Sequence, residues 1–143
     1  DLVTRTIVVS RNSHCPVLIV QGPESELRLL DEPSEAIGIH SRTRPVITEL
    51  PVRPDLHVVV FTDGVLSAGV RYGTELDAAA FVYDQLQACP LDTCARSLAD
   101  ALLARAVELD HGRPGDDITV LVASVLARQQ PDEVRRLSVC FPL

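Results

Sequence analysis

The sequence contains no methionine and no tryptophan, and aromatic residues make up 3% of its 143 positions. So few rings leave little material for the stacking platforms that hold bases or sugars. A chain that opens on Asp1 and carries no Met is expected to be processed, or to begin inside a gene as part of a larger domain. No apolar run approaches the ~18 residues that a membrane helix needs, and no secretory pattern opens the chain. A membrane is therefore not an expected partner. Basic residues are also scarce: 13 Lys and Arg stand against 20 Asp and Glu, a formal charge of −7. An acidic chain repels phosphate backbones, so nucleic acid is not an expected partner, and a cation or a basic protein suits it better.

Closely spaced metal-binding thiols are missing too. Cys15, Cys89, Cys94 and Cys140 form no C-x-x-C pair, and four residues separate Cys89 from Cys94, a poor zinc spacing. The cysteines read as reduced thiols of a cytoplasmic protein. His14, His40, His57 and His111 show no H-x-x-x-H pattern and read as surface or turn residues. What remains is 46% hydrophobic and 23% charged, the balance of a folded domain with its own core.

Apolar periodicity divides the chain into elements. Val3 to Val9 and Cys15 to Val20, joined by a polar turn, predict a β-hairpin. Leu27 to Leu30 and Val46 to Leu50 predict short strands within a Pro-punctuated stretch. Leu56-His57-Val58-Val59-Val60-Phe61 predicts a central strand covered on both faces. Two helices follow. Thr74-Glu75-Leu76-Asp77 resembles a capping box, with Leu76, Ala80, Tyr83 and Leu86 as the apolar stripe, ended by Cys89-Pro90. Asp92 is an expected N-cap for a second helix, whose stripe is Leu91, Ala95, Leu98, Leu102, Ala106 and Leu109. Ile118 to Leu126 predicts a last buried strand, and Arg135 to Phe141 an edge strand or extension. Strands, two helices and a strand define an α+β fold with a largely antiparallel sheet.

The chemistry gathers at Asp63 and at Asp116-Asp117. Asp63 follows the Val-rich strand, and the acidic pair follows Gly115 and precedes the last strand. Two antiparallel helices return the chain to the edge it left, so antiparallel pairing of these strands brings the three carboxylates to one rim. Carboxylates so placed repel, and either one takes up a proton or a cation binds. Oxygen ligands without Cys or His select Mg²⁺, Mn²⁺ or Ca²⁺. A divalent ion at a sheet rim suits phosphoryl chemistry. Taken singly, each motif also reads as a turn or a cap. Gly-Asp-Asp also marks a polymerase metal site, but there it occupies a hairpin turn, and here a long helix precedes it.

Phe61-Thr62-Asp63-Gly64-Val65 and Gly115-Asp116-Asp117-Ile118-Thr119-Val120 resemble the last two metal motifs of type 2C metal-dependent protein serine/threonine phosphatases. The branch most similar is that of the sporulation stage II phosphatase, SpoIIE. Arg11 to Leu18 is similar to its Asn-x-His-x-Pro turn, Ala36-Ile37-Gly38-Ile39 to its Leu-Gly motif, and Pro54-Asp55-Leu56 to its Pro-Gly-Asp, with Asp55 where Gly is usual. The resemblance implies an α-β-β-α sandwich with Mg²⁺ or Mn²⁺ at one end of the sheets. It implies Asp63 as a metal ligand together with one of the acidic pair. Asp116 is favoured, and Asp117 would tune the site or take the turn.

The family's earlier ligands, an Asp on a first strand and an Asp-Gly soon after, have no counterpart here, and Asp1 is a weak substitute. Residues 1–130 are therefore expected to be the C-terminal part of such a domain, incomplete at its N-terminus, and 131–143 a tail or edge strand. The implied activity is hydrolysis of phosphoserine or phosphothreonine on a regulatory protein of the anti-anti-sigma type. The alternative is a catalytically incomplete module that works by protein–protein contact. A sheet face built to pack on another sheet is left open in such a part, which must dimerise, swap or complete the sandwich with further chain; if the sequence is complete as given, self-association is expected.

Overall fold

Strand β5 (Leu56–Phe61) lies where its continuous apolar run requires, inside a sheet. The protein is described here from a computed structural model, which covers residues 3–21, 26–39, 42–88 and 95–125. Around β5 stand β1 (Thr6–Arg11), β2 (Val17–Gln21), β3 (Glu26–Leu30), β4 (Val46–Pro51) and β6 (Val120–Val125). Between β5 and β6 run a short helix α1 (Asp63–Leu66), a 3-10 turn (Val70–Tyr72), α2 (Ala78–Ala88) and α3 (Ala95–Leu109).

A four-stranded sheet has the order β3-β2-β5-β6, and β1 and β4 form a second, two-stranded sheet. All these pairings are antiparallel. The expected α+β class is therefore observed, with both sheets antiparallel. The expected hairpin of the first two strands is not: β1 pairs with β4, and β2 pairs with β3 and β5. Val17 to Val20 of β2 are all buried, so this strand needs cover on both faces. An internal place between β3 and β5 gives that cover, and the segment 12–16 carries the chain from one sheet to the other.

Alternation sorts the side chains into two cores. Leu18, Val20, Val59 and Phe61 face Val82, Leu86, Leu98 and Leu102 of the helices. Val17, Ile19, Leu56 and Val58 face Leu50 of β4, with Ile7 and Val9 of β1 packed beside them.

The long helix buries Leu98, Leu102 and Ala106 of the stripe its spacing predicts; Ala95 and Leu109 are half-buried, and Leu91 lies outside the described residues. The helix before it starts later than expected. Thr74 donates its backbone N–H to the Gly69 carbonyl, and Asp77 is the cap, its Oδ1 accepting from the Ala80 N–H at 2.9 Å. The buried face rotates accordingly to Ala78, Val82 and Leu86, leaving Ala80 and Tyr83 exposed. Cys89, Pro90, Asp92, Cys94, Cys140, Asp1, His40 and the tail 131–143 lie outside the described residues. Cys15 is a free, half-buried thiol.

Candidate metal centre

Phe61 of β5 pairs with Val120 of β6, and the ladder runs one step further through Thr62. The Thr62 N–H donates to the Thr119 carbonyl at 3.1 Å, and the Thr119 N–H donates to Thr62 Oγ1 at 2.9 Å. The same hydroxyl donates to the Asp117 carbonyl at 2.9 Å. Thr62 thus ties the exit of one strand to the entrance of the next.

Asp63 is the first residue of α1, and its backbone carbonyl accepts from the Ser67 N–H at 2.9 Å. Gly64 follows it, buried. Its backbone is not in the left-handed region, so no sharp turn requires glycine here. It is needed for space: a Cβ there would lie 2.5 Å from the Asp117 carbonyl oxygen. Both chain neighbours of Asp63 therefore touch one carbonyl, that of Asp117. The backbone thus brings the Asp63 and Asp117 positions to one rim.

All three carboxylate residues are exposed. Asp116 Oδ1 accepts the Asp117 N–H at 2.8 Å, which fixes the pair locally. Beside them, a cavity of about 540 Å³ runs between α3 and the Gly115–Ile118 segment, with Leu103, Val107 and Pro114 as its apolar wall. Among the described residues, no three His, Cys, Asp or Glu side chains group closely enough to hold a metal ion. The oxygen donors suit a hard divalent ion, which takes one or two protein carboxylates and keeps several waters. Asp63, Asp116 and Asp117 are all described and do not form such a group.

Arg71 is a neighbour of this rim that sequence reasoning passes over. Its guanidinium lies against Gly115, where an added Cβ would come within 2.6 Å of Nη2. The 3-10 turn that carries it is pinned to the end of α3. The Gly69 N–H donates to buried Asp110 Oδ1 at 2.9 Å, and Tyr72 meets His111 edge to face at 4.3 Å between ring centroids. A cation is thereby held one residue from Asp116. Nothing in its local sequence marks it, because the contact spans 44 positions.

The architecture is that of type 2C phosphatase domains. The phosphatase domain of the cell fate determinant SpoIIE from Bacillus subtilis superposes with a TM-score of 0.65 at 14% identity, over 92% of this chain and 57% of that one. The RsbU and RsbW domains of Rv1364c from Mycobacterium tuberculosis give 0.62 at 18% identity, over 90% and 35%. The SiaA-PP2C domain of Pseudomonas aeruginosa gives 0.58 at 24% identity, over 78% and 43%. At these identities the likeness concerns the fold alone. No curated protein matches the chain.

The sequence profile of the family Stage II sporulation protein E (SpoIIE) matches residues 1–126, and the chain belongs to that family. It spans little more than half of the B. subtilis phosphatase domain, 57%. Among the described residues, no helix is long and apolar enough to cross a membrane.

Proposed function

We propose that this chain is the C-terminal part of a Mg²⁺- or Mn²⁺-dependent phosphatase domain that hydrolyses phosphoserine or phosphothreonine on a regulatory protein. Asp63 and Asp116 are the metal ligands in this reading, with Asp117 fixing the turn beside them. The observation that carries it is the contact of both Thr62 and Gly64, on either side of Asp63, with the Asp117 carbonyl. A crystal of the B. subtilis SpoIIE phosphatase domain was presoaked with Mn, which agrees with the oxygen donor set here. When bound, the ion supplies charge neutralisation for a phosphoryl group and acidifies a water. Asp63 and Asp116 would hold it, and Arg71 offers a phosphoryl oxygen a guanidinium donor. The partner in this reading is a phosphorylated protein of the anti-anti-sigma type, met in the cytoplasm.

The test is Mn²⁺-dependent cleavage of an aryl phosphate, lost in Asp63→Asn. Millimolar Mn²⁺ should also raise the melting temperature of the parent chain but not of the variant, since binding to the native state alone stabilises it. No metal effect on either property, and no change in Asp63→Asn, overturns the reading.

A second reading rests on the absence of a three-acid group among the described residues. The chain would then be a phosphatase-like module that binds its partner without turnover. Metal-independent partner binding with no hydrolysis at any Mn²⁺ concentration selects it.

A further inference from the structure

The strand register places a second set of loops at the rim that carries Asp63. Val17 of β2 pairs with both Leu30 and Val60, and Arg11 of β1 pairs with Val46. The short segment 12–16 joins Arg11 to Val17, so these ends lie together. The segments 12–16, 31–39 and 42–45 therefore rise from the same end of the sheets as Asp63 and Asp116.

There they enclose a cavity of about 460 Å³ lined by His14, Pro33, Ser34, Glu35, Arg42 and Arg44. Its inner wall is built rather than incidental. Ser34 is 7% exposed, and its Oγ donates to the Ser13 carbonyl at 2.7 Å and accepts the Ser13 N–H at 3.1 Å.

Arg11, 6% exposed, donates from Nη1 to the same Ser13 carbonyl at 3.0 Å and from Nη2 to the Glu32 carbonyl. Its Nε is buried without a partner. Among the described residues, the ion pairs are Arg96–Asp100 and Arg105–Glu108, so no carboxylate neutralises Arg11, Arg42 or Arg44. A buried guanidinium satisfied only by carbonyls keeps its charge uncompensated in a medium that screens poorly. The cavity lining thus holds two guanidiniums, Arg42 and Arg44, against one acid, Glu35, in a chain whose net charge is −7, with buried Arg11 bonded to Ser13, the residue that Ser34 of the lining also bonds.

We propose that this cavity is an oxyanion subsite for the protein substrate, taking a carboxylate or phosphate on the segment that flanks the phosphorylated residue. The assignment rests on the phosphatase reading for the identity of the ligand. Planar guanidiniums match both oxyanions through paired N–H···O bonds. The spacing follows from the sheet. Neighbouring strands lie ~4.8 Å apart and facing sheets ~10 Å apart, so the cavity is roughly 10–15 Å from the carboxylate rim. An extended peptide covers that in about three to four residues.

The experiment titrates the chain, in EDTA, with three phosphoserine peptides. They carry glutamate, a second phosphoserine or alanine three to four positions from the first phosphoserine. The two anionic flanks should each bind about tenfold tighter than alanine, the yield of one charge-assisted contact. Arg42→Ala/Arg44→Ala, both exposed positions, should erase that advantage while leaving the circular dichroism unchanged. Asp63→Asn should keep the advantage. A preference for one anionic flank identifies its source. Equal affinity for all three peptides, or an advantage that survives in the double arginine variant, overturns the subsite. So does an advantage lost in Asp63→Asn. No metal and no turnover enter the measurement, so failure of the phosphatase reading shows separately, as absent Mn²⁺-dependent hydrolysis.

Discussion

The two faces of the four-stranded sheet are closed to different degrees. On the helix side, Val59, Phe61, Leu18 and Val20 meet α2 and α3, and Leu102 and Val82 are fully buried. On the other side the two-stranded sheet covers Val17, Ile19, Leu56 and Val58 but leaves the outer pair of β5 and β6 uncovered. Val60 and Leu121, a registered pair on that face, remain 37% and 58% exposed. The difference separates two jobs. The helix face supplies cohesion, and the sheet face near the rim is held by backbone and hydroxyl contacts rather than by burial. It also supports the proposal that the isolated chain self-associates through this face.

The largest effect comes from breaking the closed face. Leu102→Ala should cost about 2–5 kcal/mol in urea unfolding, because a fully buried leucine leaves a cavity between helix and sheet. Leu121→Ser, on the open face, should change the stability of the monomer by less than ~0.5 kcal/mol. It should also lower the self-association of the parent chain in light scattering. A parent chain that is a monodisperse monomer contradicts self-association, and equal costs for the two substitutions contradict the contrast between the faces.

An intermediate effect is expected at Thr62, where the open face depends on one hydroxyl. Thr62→Val keeps the shape and removes both the acceptor for Thr119 N–H and the donor to the Asp117 carbonyl. The expected cost is about 1–2 kcal/mol, with faster amide exchange at Thr119. Thr62→Ser should restore the protection. Unchanged exchange in the valine variant would remove Thr62 as the residue that positions Asp63 against Asp117.

Much of this rim was legible in the sequence, for identifiable reasons. Two strong apolar strands, each abutting acidic residues and separated by two helices, leave few topologies, and antiparallel adjacency brings Asp63 to Asp116-Asp117 in the simplest of them. The position of Asp55 was legible through the family pattern: its φ of 62° lies where glycine is favoured, and glycine is the usual residue there. The β1–β4 pairing was not legible, since 34 residues separate the strands and the nearer β2 offers an apolar run of its own. The cap at Asp77 was missed because Thr74 and Asp77 both satisfy capping chemistry, and only the bond from Thr74 N–H to Gly69 decides between them. Arg71 and the Arg11–Ser34 wall depend on contacts between distant loops, which no local pattern encodes.

The smallest effect probes the closed face by titration. His57 lies on that side of β5, alternating with Val59 and Phe61, and its Nδ1 is 2.8 Å from Ser124 Oγ of β6. Burial lowers its pKa below the usual 6.5, and the nearby charge of Asp55 opposes that shift in part. The neutral ring is therefore favoured in the folded protein, while the unfolded chain takes up a proton near pH 6.5. Between these two pKa values the unfolded state holds more protons, so stability rises with pH across that window. The contribution is complete above pH 6.5, and acidification through the window removes it. His57→Gln should flatten this part of the stability curve in urea titrations between pH 7 and pH 5. A slope unchanged by the substitution would place the acid sensitivity at another group, and a stability that increases on acidification would contradict the burial of a neutral ring against Ser124.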